Sequence, residues 1–317
     1  MFFNRGALQI IIKNSNFVSI SFRMFYRRKI ILALLQLFDG QLDKIRLQKL
    51  LFLFANKQSK AAYDFIPYKF GCYSFSANAD IIAMVTGGFL SEDEINIYKK
   101  DSIDYLNQLK LEDLKLLLEV KFNYGKMSPK ALMKYTYINF PFYAIKSEAA
   151  NKILSGEDLA KVAKAKPCNN KTILFTIGYE GISLEEYLVR LLKNDVKVLV
   201  DVRNNPLSMK YGFSKIQLKK YCASLSIDYI HIPEVGIQSD QRQSLNNQSD
   251  YERLFTFYRK NILPQTIAQQ EQILNLLNEH KRIALTCFEA NIQQCHRKHL
   301  AEAIEKLPGF YYDIRHI

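Results

Sequence analysis

The chain has 317 residues, of which 48% are apolar and 24% charged, a balance typical of a soluble globular protein with room for two domains. No apolar run reaches the roughly 18–20 residues of a membrane helix, so we expect a cytoplasmic protein without a membrane partner. The five cysteines are widely spaced and include no Cys-x-x-Cys pair. This pattern argues against a disulfide framework and a zinc ribbon, and for a reducing compartment.

The formal charge of +13 is concentrated in the front half of the chain. Residues 1–171 hold 26 Lys and Arg against 15 Asp and Glu, whereas residues 172–317 hold 18 against 16. A basic half joined to a nearly neutral half is the charge pattern expected of a nucleic-acid contact, so the sequence predicts DNA or RNA as a partner. The alternative is that the lysines only solvate helical surfaces.

The first acidic residue of the chain is Asp39. A basic, acid-free start is typical of an organelle transit peptide. A second interpretation is that the protein starts at Met24, where a periodic helix begins. We favour this second interpretation and expect residues 1–23 to be weakly ordered or a mis-assigned start.

Residues 24–154 are predicted to form a basic, mostly helical domain. The apolar run at 30–38 ends at a turn signal, and Asp43 is placed to cap a second helix. Residues 63–73 alternate apolar and polar positions, as an edge strand or wing does. A third helix follows at 77–86. This order predicts a winged helix-turn-helix.

Two segments of this half carry a resemblance to a known family. Residues 44–53 (Lys-Ile-Arg-Leu-Gln-Lys-Leu-Leu-Phe-Leu) and 67–74 (Pro-Tyr-Lys-Phe-Gly-Cys-Tyr-Ser) resemble the winged-helix-like region of SocA-type antitoxins and related phage-encoded proteins, the Panacea domain. The resemblance implies binding to nucleic acid or to a protein partner, or a docking role alone. The residues that we predict to bind nucleic acid are Arg46, Lys49 and Lys69.

The remainder of the front half is predicted to be helical up to a linker. Ser128 is placed to cap a helix that has Pro129 in its first turn. Residues 155–171 are rich in Lys and Ala, carry Gly156 and Pro167, and have little to bury. We therefore predict a linker at 155–171.

The back half, residues 172–317, alternates regularly between apolar strands and helices. Unbroken apolar strands with short connections predict an α/β domain with a doubly wound, mostly parallel sheet. The predicted strands are 172–177, 196–201, 228–232, 282–287 and 310–316, and the predicted helices are 183–194, 214–225, 250–262, 265–280 and 291–306.

Unusual polar residues follow four of these strands. The carboxyl ends of parallel strands share one edge of the sheet, and ligands bind in the crevice outside that edge. Side chains that are distant in sequence should therefore meet there. Carboxylates follow each of these strands, at Glu180, Asp201, Glu234 and Glu289.

Four motifs in the back half resemble the family of domain of unknown function 488, whose members include small YeaO-like bacterial proteins. The resemblance extends over 172–317 and implies an α/β domain with a polar pocket but no agreed reaction. The motifs are Thr-Ile-Gly-Tyr-Glu-Gly at 176–181, Asp-Val-Arg-Asn-Asn-Pro-Leu-Ser at 201–208, Gly-Phe-Ser-Lys at 212–215, and Cys-Phe-Glu at 287–289 followed by Cys-His-Arg at 295–297.

The carboxylates indicate acid–base chemistry. Like charges at close range raise the pKa of one group and prepare it as a general acid or base. Such a pair suits glycosidic or N-glycosidic cleavage, or binding of a divalent cation for phosphodiester chemistry. The catalytic candidates are Glu180, Asp201, Glu289 and His296.

Two arginines at the same edge indicate an anionic ligand. A guanidinium binds phosphate or carboxylate through two points, so Arg203 and Arg297 are candidate ligand-binding residues, together with Tyr179 and Ser208. The alternative is that Asp201 and Arg203 pair with each other or cap loops.

Cys287, Cys295 and His296 suggest two sharper interpretations. Three ligands without close pairs make a poor zinc pattern, so we predict no metal site. A thiolate nucleophile with His296 as base is the second interpretation, but the Cys-x5-Arg loop of phosphatases and rhodaneses is missing because residue 293 is Gln. We expect the thiols to pack as apolar groups, and the first turn of the last helix to present His296 and Arg297 to an anion.

Together these features predict a nucleic-acid-associated protein whose α/β domain binds a phosphate- or nucleobase-containing group. As an enzyme, it would hydrolyse that group in the processing of modified or damaged nucleotides, in repair or in defence. The alternative is a non-enzymatic DNA-binding regulator or antitoxin-like ligand sensor whose crevice only binds. The sequence specifies neither a cofactor nor an oligomeric state.

Overall fold

The computed structural model describes residues 24–238, 241 and 248–317. The start predicted to be weakly ordered, residues 1–23, lies outside these ranges. Within them, no helix combines the length and the apolar character needed to cross a membrane.

The N-terminal half consists mainly of helices that pack around an apolar core. Leu47, Leu50 and Phe54 of the second helix are buried in this core beside the first helix, as the periodicity predicts. The helices are α1 (Tyr26–Leu37), α2 (Lys44–Ala55), α3 (Phe75–Thr86), α4 (Leu111–Tyr124), α5 (Pro129–Asn139), α6 (Ala150–Ile153) and α7 (Gly156–Ala165), and the strands are β1 (Gln41–Asp43), β2 (Ile66–Tyr68), β3 (Gly71–Tyr73), β4 (Leu90–Glu92) and β5 (Asn96–Lys99).

Two predicted helix caps are confirmed. The Asp43 carboxylate accepts hydrogen bonds from the backbone N–H groups of Ile45 (2.7 Å) and Arg46 (3.0 Å) at the start of α2. The Ser128 hydroxyl accepts from the N–H of Ala131 at the start of α5 (3.2 Å). Each cap satisfies backbone donors that the first turn of a helix leaves without a partner.

The strands of the N-terminal half differ from the prediction. The segment predicted as a wing, 63–73, forms the two-stranded hairpin β2–β3, which is separate from a three-stranded antiparallel sheet in the order β1-β5-β4. The hairpin β4–β5 and strand β1 were missed because strands of three or four residues are too short to show an alternating pattern.

The segment predicted as a linker contains helix α7, which packs on α5. Leu159 and Val162 lie three positions apart on one helical face and contact the cluster formed by Met133 and Tyr137. The composition of this segment concealed the helix because only these two side chains need to be buried. The chain therefore passes from one half to the other through a docked helix.

The C-terminal half is the predicted α/β domain, with an all-parallel sheet in the order β10-β6-β9-β7-β8. Every predicted strand of this half is found within a few residues of its expected position. The strands are β6 (Ile173–Gly178), β7 (Val198–Asp201), β8 (Asp228–His231), β9 (Arg282–Cys287) and β10 (Asp313–His316), and the helices are α8 (Leu184–Lys193), α9 (Lys215–Ser224), α10 (Gln248–Phe257), α11 (Ile267–His280) and α12 (His296–Glu305).

Helices cover both faces of this sheet. Successive side chains of a strand point to opposite faces, so each strand contributes to two cores. Phe175 and Ile177 pack with α8 and α9 on one face, whereas Leu174 and Leu285 pack with α10, α11 and α12 on the other. The predicted doubly wound architecture is thereby confirmed.

The two halves meet where α3 approaches α8. The buried carboxylate of Glu185 accepts hydrogen bonds from the Ser74 hydroxyl (3.2 Å) and from both the backbone N–H (2.6 Å) and the hydroxyl (2.9 Å) of Ser76. Phe75 packs into the same core face as α8. The first turn of α3 is therefore attached to the α/β domain.

Candidate functional site

A cleft opens at the carboxyl edge of the parallel sheet, outside strands β6, β7 and β9. It has a volume of about 320 Å³. The fold gathers its walls from segments far apart in sequence because these three strand ends share one edge. The lining residues are Tyr179 after β6, Arg203, Asn204, Asn205, Leu207, Ser208 and Met209 after β7, Ile237, and Cys287 and Phe288 at the end of β9.

Arg203 and Asp201 form a buried ion pair at the floor of this cleft. Arg203 Nε donates to Asp201 Oδ1 (2.8 Å) and Nη2 donates to Oδ2 (2.5 Å). Nη1 of Arg203 donates to the hydroxyl of Tyr179 (2.7 Å) and to the carbonyl of Phe213 (2.9 Å). The guanidinium thus directs four hydrogen bonds into the protein, which is the pairing that the sequence left as an alternative to anion binding.

This ion pair shifts the pKa of Arg203 itself and of the neighbouring Tyr229. Burial on its own would lower the pKa of Arg203, but the hydrogen bonds and charge of Asp201 outweigh burial and raise that pKa. The hydroxyl of Tyr229 donates to Asp201 Oδ2 (2.5 Å), and burial together with the Asp201 charge raises the pKa of Tyr229. Asp201 is fully buried beneath the cleft and orients Arg203.

A second group of polar side chains lies at the end of β9 and the start of α12. The thiols of Cys287 and Cys295 both donate to Glu289 Oε2, at 3.0 and 3.1 Å. Cys287 Sγ also lies 3.6 Å from Nδ1 of His296. The four potential donor atoms all lie within 4.8 Å of one another. We call these four residues, Cys287, Glu289, Cys295 and His296, the thiol cluster.

Backbone contacts orient the imidazole of the thiol cluster. His296 Nε2 lies 3.1 Å from the carbonyl oxygen of Val202, which can only accept a hydrogen bond. Nε2 therefore carries a proton, and in the neutral ring Nδ1 is left as the acceptor that faces Cys287. Val202 directly follows β7, so this contact also joins β7 to the start of α12.

The loop that carries Glu289 is held by Arg297 and by the end of β6. Arg297 Nη1 donates to the Glu289 carbonyl (2.5 Å) and Nη2 to the Ala290 carbonyl (3.3 Å). A Cβ atom at Gly178 would lie only 1.9 Å from the Glu289 carbonyl oxygen, so the close approach of this loop requires glycine there. Glu180 accepts from the N–H of Ala290 through Oε2 (3.0 Å).

Burial raises the pKa of Cys295 well above that of an ordinary thiol, and the neighbouring Cys287 and Glu289 raise it further. The positive charge of Arg297 acts in the opposite direction and lowers the pKa of Cys295. In the thiol cluster, ionisation of one acidic group therefore disfavours ionisation of its neighbours.

The three residues predicted to bind nucleic acid differ in their exposure to solvent. Lys49 is buried, and its ammonium donates to the carbonyl of Cys72 (2.8 Å). Arg46 donates to the carbonyl of Gly125 (2.7 Å) and lies over the ring of Phe38. The exposed member is Lys69, on the β2–β3 turn, with its ammonium 3.7 Å from a carboxylate oxygen of Glu148. Lys49 and Lys69 line a common cavity of about 420 Å³.

The structure places the candidate residues of the α/β domain at different positions relative to the cleft. Tyr179, Arg203 and Ser208 line the cleft. Cys287 lines it as well, and the rest of the thiol cluster lies at the β9 side of the cleft. Glu180 and Glu234 are exposed, and Arg297 is buried behind the loop that it holds.

Several cleft residues were not among the predicted site residues. Asn204 and Asn205 directly follow Arg203 in the motif at 201–208, and Phe288 separates Cys287 from Glu289. Their position after a predicted strand was the available signal, but uncharged side chains carry no acid–base or ion-pairing signature.

Comparison with known proteins supports the predicted resemblance. Residues 183–304 match the family model described as Domain of unknown function DUF488. No curated protein matches the chain significantly.

Proposed function

We propose a function for the C-terminal half of this chain, of which residues 183–304 match the DUF488 family model. The α/β domain binds a small ligand that carries a flat polar ring, such as a nucleobase or nucleotide, in the cleft at the carboxyl edge of the sheet. The composition of the cleft, with aromatic, amide and hydroxyl groups around one small cavity, is the observation that carries this proposal.

The two asparagines supply hydrogen-bonding groups suited to a base edge. Asn204 Nδ2 donates to the carbonyl of Pro233 (3.3 Å), and Asn205 Oδ1 accepts from the N–H of Leu207 (3.2 Å). Among the described residues these bonds engage one end of each amide, so Asn204 Oδ1 and Asn205 Nδ2 remain for a ligand. An acceptor and a donor together can pair with the edge of a nucleobase.

Phe288 supplies a surface for stacking. Its side chain is 42% exposed and its ring meets that of Tyr179 edge to face at 5.3 Å. Bases stack on such rings irrespective of their identity. The cavity volume of about 320 Å³ is at the low end of the roughly 300–1,000 Å³ of small-molecule sites, which favours a ligand the size of a nucleoside.

Binding without hydrolysis, as in a ligand-sensing regulator, is the form of this function that the side-chain contacts favour. A catalytic carboxylate must reach the substrate, but Asp201 accepts hydrogen bonds from Arg203 and Tyr229 beneath the cleft. Hydrolysis of a glycosidic or phosphoester bond is the second candidate, because His296 and Glu289 lie at the β9 side of the same edge.

We propose in addition that the N-terminal half holds nucleic acid. The elements α1, β1, α2, α3 and the hairpin β4–β5, which pairs with β1, follow the order of a winged helix, and the hairpin β2–β3 is inserted between α2 and α3. Lys69 beside the exposed Phe70 supplies a cation and a ring for a backbone phosphate and a base. Helix α3 contains no Lys or Arg and its first turn is bonded to Glu185, so the contact would be made elsewhere.

The cleft is tested by calorimetric titration of the full chain with the four nucleoside monophosphates. Phe288→Ala should weaken binding about tenfold, because loss of one stacked base costs about 1–3 kcal/mol. Phe257→Ala is the matched control, since Phe257 is 43% exposed and lies outside the cleft lining. Equal losses in the two variants, or wild-type protein that binds none of the four, would contradict the proposal.

Hydrolysis is tested in the same samples by following the bound nucleotide over time. The binding-only form predicts that the nucleotide is recovered intact, whereas release of free base or phosphate that depends on His296 would favour the second candidate.

Nucleic-acid binding is tested by fluorescence anisotropy with labelled duplex DNA and single-stranded RNA at several salt concentrations. Affinity should fall steeply with salt because phosphate neutralisation releases counterions. Lys69→Glu should weaken binding and reduce the salt slope by about one. Lys130→Glu, which makes the same charge change at an exposed site on α5, is the control. Salt-independent binding, or equal effects of the two variants, would argue against Lys69 as the contact.

A further inference from the structure

We infer that the thiol cluster is a binding site for a zinc ion, with Cys287 Sγ, Cys295 Sγ, His296 Nδ1 and a Glu289 carboxylate oxygen as its four ligands. Zinc in proteins is bound tetrahedrally by thiolate, imidazole and carboxylate groups, and the cluster offers all three kinds. The inference rests on this geometry alone and holds whatever ligand the neighbouring cleft binds.

The separations between the donor atoms are within a few tenths of an ångström of those in a tetrahedral zinc site. Zinc–ligand distances of about 2.0–2.3 Å place the corners of a tetrahedron about 3.3–3.8 Å apart. The Glu289 oxygen lies 3.0 and 3.1 Å from the two sulfurs, and His296 Nδ1 lies 3.6 Å from Cys287 Sγ. With all four atoms within 4.8 Å of one another, an ion at their centre requires only small side-chain movements.

The surroundings already hold the ligands in a metal-binding orientation. A histidine that binds a metal usually donates its other ring N–H to a carbonyl or carboxylate, which fixes the tautomer and the ring plane. His296 does this through Nε2 to the carbonyl of Val202 (3.1 Å). The loop that carries Glu289 is fixed from behind by Arg297 and fits only because residue 178 is glycine.

The donor set selects the type of metal. Two thiolates exclude the oxygen-seeking Mg²⁺ and Ca²⁺, and favour zinc or another thiophilic ion. The mixed set of two sulfurs, one nitrogen and one oxygen in a tetrahedral arrangement fits zinc best.

The sequence pattern does not reveal the fourth ligand of this site. The spacing Cys-x-Glu-x5-Cys-His has no paired cysteines, and the glutamate that completes the set was assigned to acid–base chemistry. Only the turn between β9 and α12 brings Glu289 back onto both thiols.

The site also adjoins the cleft. Cys287 is a ligand in the thiol cluster and at the same time lines the cleft, next to Phe288. A bound zinc would therefore lie at the β9 side of the ligand-binding cavity.

The inference is tested by metal analysis and cobalt substitution of the full chain, purified under reducing conditions. The protein as isolated, or after removal of metal by a chelator and addition of zinc, should contain one zinc per chain. Cobalt(II) should produce thiolate-to-metal charge-transfer absorption and the visible bands of a tetrahedral ion, and zinc should displace it. Wild-type protein that shows neither band nor stoichiometric zinc would overturn the inference.

Single-residue variants locate the site. Cys295→Ser should lower the zinc affinity by more than the roughly 10–100-fold that loss of an outer-shell partner costs. Cys222→Ser, a buried thiol of α9 outside the cluster, should leave affinity and spectrum unchanged. Equal losses in the two variants would refute the assignment.

A milder variant guards against misfolding of the cysteine mutants. Glu289 is only partly buried, so Glu289→Gln should fold, retain the cobalt–thiolate band and bind zinc at least roughly tenfold more weakly, since loss of even an outer-shell partner costs about 10–100-fold. A zinc affinity identical to that of the wild type would remove Glu289 from the ligand set and overturn the four-ligand site.

Discussion

The two halves of the molecule place their polar side chains by different means. In the α/β half, chain topology brings residues from positions 179, 203–209 and 287–289 to one sheet edge. In the N-terminal half, cations are spread over helices and hairpins, and Lys49 is directed into the interior. Strand order therefore fixes where a site forms, whereas net charge indicates the kind of partner but not the position of its binding site.

Both halves also use charged groups to hold structure. Burial lowers the pKa of Lys49, whose ammonium is bonded to the backbone of β3. In the α/β half, Asp201 holds Arg203, and Arg297 holds the loop that follows β9. A charged residue in a motif can therefore stabilise the fold around a site without contacting the ligand. Measurements of stability separate this structural role from a role in binding.

The largest expected effect concerns Arg203. Arg203→Ala should destabilise the protein by about 3–5 kcal/mol, because it leaves the buried Asp201 carboxylate without its partner. The measurement is urea denaturation followed by circular dichroism.

Arg190→Ala is the control for this substitution. Arg190 makes an exposed i,i+4 pair with Glu186, which is worth no more than about 0.5 kcal/mol. If Arg203→Ala unfolds at the wild-type urea concentration yet loses ligand binding, Arg203 acts on the ligand and the structural assignment is wrong.

The α/β half was largely predictable from sequence, for physical reasons. Five strands, of which β6, β7 and β9 are fully buried, alternate with helices and leave few topologies, and each predicted strand is found near its expected place. In the N-terminal half, β1, β4 and β5 were not predicted, because pairing between strands of three or four residues is decided by tertiary packing.

Side-chain partners within the site were much less predictable. The edge on which Glu289 and Cys295 meet follows from topology, but their contact depends on the conformation of one loop, the absence of a Cβ at Gly178 and the bonds from Arg297. Spacing in the sequence carries none of this information.

A smaller effect is expected at the junction between the halves. Glu185→Ala should destabilise the protein by about 1–3 kcal/mol, because it removes the acceptor from Ser74 and Ser76 at the buried start of α3. Glu186→Ala, at the neighbouring exposed position, is the control and should cost under about 0.5 kcal/mol. Equal melting temperatures for the two variants would show that this contact does not join the halves.

The same carboxyl group predicts a pH dependence. Burial raises the pKa of Glu185 above 4.5, although the hydrogen bonds from Ser76 and Ser74 act in the opposite direction. The folded state therefore binds this proton more tightly than the unfolded state, so its contribution to stability is complete below pH 4.5 and is lost as the pH rises through the raised pKa.

Glu185→Gln should remove this dependence. Denaturation midpoints of the wild type relative to Glu185→Gln should fall as the pH increases from about 4 to 7, and the largest change should occur around the folded pKa. A difference that is constant across this range, or that increases with pH, would contradict a raised pKa.

The smallest effect is expected on the surface of α4. Phe122 is 88% exposed and lies on the same helical face as Leu118 and Leu111, which are also exposed. Phe122→Ser should change the free energy of unfolding by no more than about 0.5 kcal/mol, because the folded chain buries little of the ring. Phe213→Ala, which removes a buried ring stacked on Tyr179, is the contrasting variant and should lower the free energy of unfolding by about 3–5 kcal/mol.

A loss above about 1 kcal/mol for Phe122→Ser, together with a melting temperature that depends on protein concentration, would mean that this face of α4 is covered by a second molecule in solution. The N-terminal half would then, like the sheet edge, have a defined binding face, and the contrast between the two halves would be lost.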